Sequence, residues 1–97
     1  MKFAAIIEYC QDKEKIANVR PTHREYLKKL LDEGKLVVSG PITDDTGALI
    51  VYEAANHDEA EAFLQADPFH QNNIFLSYEI RPWKIVMSNH DLIPAES

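Results

Sequence analysis

Two β-rich stretches of this chain are apolar on both of their faces, and that limits the possible folds more than any other feature. Successive side chains of a strand point to opposite faces. Residues 2–9 (KFAAIIEY) therefore put Phe3, Ala5, Ile7 and Tyr9 on one face, and Ala4 and Ile6 on the other. Residues 48–54 (ALIVYEA) are apolar throughout Leu49, Ile50, Val51 and Tyr52. A sheet built from such strands needs cover on both sides. Helices can supply one cover, and exposed apolar patches of this size are uncommon on soluble monomers. The remaining face is expected to pack against a second copy of the chain, giving a homodimer. The competing reading is a monomer with an unusually apolar open face.

Two further strands are expected, over 35–39 (KLVVS) and from Phe75 to Val86. Pro82 interrupts the last of these. A proline cannot donate to a ladder, so its strand belongs at an edge or carries a bulge. A helix is expected over Pro21 to Glu33, with proline in its opening turn and Gly34 ending it, after a short helical turn near 13–19. A second helix opens at Asn56, has Glu59 placed for a capping box, and stops before Pro68. Residues 41–47 (PITDDTG) read as a hairpin loop, and 88–97 as a polar tail without periodicity. The order is β-α-β-β-α-β. It predicts an α+β, ferredoxin-like fold whose four-stranded antiparallel sheet carries both helices on one face. One domain over residues 1–97 is expected, with its core in about 1–86.

Charge narrows the partners. Ten basic residues against 16 acidic ones give a net charge of −6, which repels phosphate backbones and anionic membrane surfaces. No nucleic acid and no membrane are expected as partners. The opening apolar run is too short for a signal-peptide core or a membrane span, so a cytoplasmic location is expected. Cys10 is the lone cysteine. It has no internal disulfide partner and reads as a half-buried thiol at a strand end.

Two polar residues stand at apolar phase. His23 shares a helix face with Leu27, Leu30 and Leu31, and Asp67 follows Ala60, Phe63 and Leu64 on the inward face of the second helix. In this topology the start of the first helix neighbours the end of the second, which brings the two together. Tyr9, the Ser39, Gly40, Pro41 corner and the 68–73 loop come to the same end of the sheet. An imidazole oriented by a carboxylate is a proton-transfer pair. The same pair could equally be a buried hydrogen bond tying two helices. His57, His70 and His90 fall in an exposed helical turn, a loop and the tail, and read as solvated. A metal site from His23, Asp67 and His70 matches no ligand spacing. No metal and no cofactor are expected, and no phosphate loop or nucleophile elbow is present.

The segments RPTH (20–23), SGP (39–41), ADPF (66–69) and EIRPWK (79–84) make the chain resemble the YCII-related family over nearly all of residues 1–86. That family is similar in fold to dimeric α+β barrels, in which two four-stranded sheets pack face to face. The resemblance implies an acid/base role for His23 and Asp67, with Tyr9, Ser39, Gly40, Pro41 and Phe69 as substrate-binding candidates. One departure is HQNNIF, where Asn73 stands in place of the small residue or glycine often found in relatives. Asparagine tolerates left-handed backbone. The functions left open are an isomerase, lyase or hydrolase acting on a small molecule, a metabolite-binding or regulatory module using the same pocket, and a purely structural dimer partner.

Overall fold

The computed structural model of the protein describes residues 1–96. Its elements run β1 (Lys2–Tyr9), α1 (Lys13–Asp32), β2 (Leu36–Pro41), β3 (Gly47–Glu53), α2 (His57–Gln65), α3 (Pro68–Gln71) and β4 (Phe75–Trp83), followed by a 3-10 turn at His90–Leu92. The strands form one antiparallel sheet in the order β2-β3-β1-β4, so the fold is α+β with the expected ferredoxin-like arrangement. β4 is an edge strand, one of the two placements that Pro82 allows. It ends at Trp83 instead of running on to Val86. Among the described residues, no helix is long and apolar enough to cross a membrane.

The first helix differs from expectation. Lys13–Asp32 is one helix with Pro21 inside it, where a separate turn followed by a helix starting at Pro21 was expected. An interior proline loses its N–H bond to the preceding turn and crowds the carbonyl four residues earlier, a cost of about 3 kcal/mol. The true start is Asp12, whose side chain accepts from Lys15 N at 3.1 Å. Upstream of the proline, Ile16 is fully buried. Burying such a side chain is worth about 1.5–3 kcal/mol, which together with the cap's ~1 kcal/mol offsets a cost of that order. The core face of α1 is Ile16, His23, Leu27 and Leu30, while Leu31 is half exposed and lies off it.

The second helix is shorter than expected. Asn56 caps α2 and accepts from Glu59 N at 2.9 Å, as the capping signal implies. The helix stops at Gln65 with Ala66 as its C-cap. Asp67 is therefore not on α2. It has extended backbone and caps α3, with Pro68 in the first turn. The turn from α3 into β4 passes through Asn73 at a φ of 61°, in the left-handed region.

The sheet's helix side buries Phe3, Ala5, Ile7 and Tyr9 of β1 and Ala48, Ile50 and Tyr52 of β3. On the other side Ile6, Leu49, Val38 and Trp83 are exposed in the single chain, while Val51 is buried. β3 runs tightly beside β1 at Gly47, where an added Cβ would meet Ile7 O at 2.1 Å.

Candidate functional site

His23 and Asp67 meet at the end of the sheet where β1 finishes. His23 Nδ1 lies 2.7 Å from Asp67 Oδ1, and both side chains are buried. The same carboxylate oxygen accepts from Phe69 N at 2.9 Å as the α3 cap. Two donors therefore fix one oxygen, and the ring that donates to it is fixed in turn. Asp67 Oδ2 is buried and has no partner among the described residues. A buried carboxylate oxygen left in that state is costly to stability, which is common where a group is kept for chemistry. Asp67 reaches this position as a cap and not through the helix phase that sequence reasoning invoked.

Phe69 stacks flat on the imidazole, with centroids 3.8 Å apart and an interplanar angle of 1°. It is wholly buried. Phe69 thus backs His23 and does not line the pocket, contrary to its expected role as a substrate contact. Tyr9 meets Phe69 edge-on at 5.5 Å.

His23 forms part of the wall of a cavity of about 360 Å³ that also takes in Tyr9, Ser39, Gly40 and Pro41. Its volume suits a small organic molecule. With Nδ1 committed to Asp67, the ring nitrogen left for a ligand is Nε2. Burial pushes the Tyr9 phenol up to about 12, against a smaller pull downward from the Arg20 guanidinium. Tyr9 is therefore a hydrogen-bond donor at neutral pH.

Sequence reasoning missed the basic side of this cavity. Arg20, Arg24 and Lys28 line it from successive turns of α1, and Leu27, Leu31 and Leu36 add apolar surface. The signal was present in the spacing of these basic residues on either side of His23. Arg20 pairs with Asp45 at 2.5 Å, and Asp45 itself has a φ of 64°. Glu96, in the tail, also borders the cavity.

The other histidines stay outside the site. His57 Nε2 lies 3.2 Å from Ile80 O, and His90 is in the 3-10 turn. His70 is on α3, half-buried with its Nδ1 unpartnered among the described residues, where a solvated loop residue was expected. His70 does not gather with His23 and Asp67. Among the described residues, His57, Asp58 and Glu61 are near enough to one another to share a cation, and they are exposed or half-buried on α2.

The YCII-related domain matches residues 1–84. The chain belongs to the YCII-related family. It is 33% identical over 92 residues to Protein YciI of Escherichia coli O6:H1 and of Shigella flexneri, covering 80% of this chain and 94% of each relative. In solved structures it is similar to the 5-chloro-2-hydroxyhydroquinone dehydrochlorinase TftG of Burkholderia phenoliruptrix AC1100, determined in complex with 2,5-dihydroxybenzoquinone. That match has a TM-score of 0.77 and 26% identity, covering 87% of this chain and 94% of the other.

Proposed function

We propose that the protein is a small-molecule enzyme of the isomerase, lyase or hydrolase type, in which His23 moves a proton through Nε2 and Asp67 holds the ring. The observation that carries this reading is the 2.7 Å contact between His23 Nδ1 and Asp67 Oδ1 beside a ligand-sized cavity. A carboxylate on Nδ1 fixes the tautomer and supports positive charge on the ring while Nε2 holds a proton. Tyr9 supplies a second donor toward the same space. Likeness to a dehydrochlorinase adds support, because removing hydrogen chloride from a carbon skeleton requires a base.

The working form in this proposal is a homodimer joined through the helix-free faces, where Ile6, Leu49 and Trp83 are exposed in the single chain. A mass that stays monomeric at every concentration would remove the dimer from the proposal.

A turnover screen over hydroxylated quinones and small organic acids tests the enzyme reading. Wild type is expected to consume at least one compound, and His23→Ala to lose roughly 100-fold or more in rate while still binding it. If compounds bind and every one is recovered unchanged, the pocket belongs to a binding or regulatory module and the enzyme reading fails.

A further inference from the structure

The cavity carries a charge sign opposite to that of the chain around it. The protein has a net charge of −6, yet Arg20, Arg24 and Lys28 all border this one space. Their positive charges are not equally available. Arg20 is paired with Asp45, whereas Arg24 has no ion-pair partner among the described residues. Among the described residues Lys28 is held only by Asp32, at 3.2 Å in an exposed pair along the helix, which water and salt weaken. Two cations one turn apart are therefore open to an incoming anion. Beside them Leu27, Leu31 and Leu36 offer apolar surface.

We propose that the pocket takes a small organic carboxylate, its anionic group held by Arg24 and Lys28 and its apolar body lying against Leu27, Leu31 and Leu36. This rests on the reading above that the cavity beside His23 is the ligand site. A planar guanidinium matches a carboxylate in two parallel hydrogen bonds, and one unpaired arginine with one lysine suits a monoanion. The chain's own tail also bears on this space. β4 ends at Trp83, which pairs with Lys2 at the opposite end of the sheet from Tyr9. The tail nevertheless returns along the molecule and brings the carboxylate-bearing Glu96 to this cavity. Among the described residues Glu96 makes no ion pair with Arg24 or Lys28, so it borders the cavity as a negative charge that opposes an incoming carboxylate.

Titration of the full chain with benzoate and with its neutral isostere benzamide tests the proposal, read from amide shifts at Tyr9, Ser39 and Gly40 at low ionic strength. Benzoate is expected to bind roughly tenfold or more tightly than benzamide, the worth of one charge-assisted hydrogen bond. Arg24→Gln combined with Lys28→Gln should abolish that preference while leaving the fold intact, since both side chains are exposed. Glu96→Gln should tighten benzoate severalfold and leave benzamide unchanged. Equal affinity for the two probes, or a benzoate preference that survives the double substitution, overturns the carboxylate assignment and leaves the enzyme reading standing. Inorganic phosphate displacing benzoate at equal concentration overturns it too. If neither probe moves these amides in wild type or in Glu96→Gln, the carboxylate assignment falls, and the enzyme reading is decided separately by the turnover screen.

Discussion

Replacing Asp67 tests the site and the fold at once. Asp67→Ala leaves the N–H of Phe69 without its cap and the buried Nδ1 of His23 without its partner, both now served by one oxygen. Losing a cap costs about 1 kcal/mol. Stranding the buried Nδ1 of His23 costs about 1–3 kcal/mol more, for a total of roughly 2–4 kcal/mol. Asp67→Asn keeps an oxygen on both donors but sets an amide donor where Oδ2 is buried without a partner. Its expected cost is about 1–3 kcal/mol. Urea unfolding of wild type, both variants, His23→Ala and the double substitution, at one protein concentration, measures these values and their coupling. Coupling between His23→Ala and Asp67→Ala is expected at about 1.5–3 kcal/mol, the range for a hydrogen bond to a charged group. An Asp67→Ala variant within about 1 kcal/mol of wild type, or additive losses in the cycle, would refute the claim that this pair is formed and buried.

Two further predictions follow from packing and from burial. Gly47→Ala should destabilise by about 2 kcal/mol or more or disrupt folding, because the new Cβ meets Ile7 O at 2.1 Å and a backbone atom cannot swing aside; thermal unfolding measures it, and an unchanged midpoint would contradict the strand spacing. In an absorbance titration at alkaline pH, the Tyr9 and Tyr26 phenols should resist ionisation until about 12, in each case chiefly because burial disfavours the phenolate. Because folding raises these values above the usual phenol range, their contribution to stability is complete below about pH 10 and is lost as pH rises from there toward 12. All tyrosines titrating together near 10 in the folded protein would count against that burial.

Much of the fold could be read from local signals because those signals act locally. Pro82 marked an edge strand through a missing donor, and Asn56 with Glu59 marked a helix start through two side-chain oxygens. Pro21 misled because its effect depends on what lies before it. The cap at Asp12 and the buried Ile16 decide that the helix starts earlier, and only tertiary packing reveals the second of these. His23 and Asp67 stood out because polar residues at apolar phase are conspicuous, although Asp67 arrives as the cap of a four-residue helix that periodicity cannot detect. Phe69 was misplaced because an aromatic residue near a pocket reads alike in front of a histidine or behind it. Glu96 was invisible for a simpler reason. Where a tail goes after the last strand is not written in its periodicity.

One helix carries two interleaved sets of positions. Ile16, His23, Leu27 and Leu30 of α1 face the core, His23 and Leu27 also touching the cavity, while the exposed or half-buried Arg20, Arg24 and Lys28 border the cavity alone. Changes at the second set alter what the cavity meets without removing anything the core depends on. In the proposed site, exchanging these surface side chains on α1 would change which ligand is favoured while His23 and Asp67 stay in place. α1 thus combines the surface that would set the proposed site's selectivity with the face that holds the core, on one rigid element.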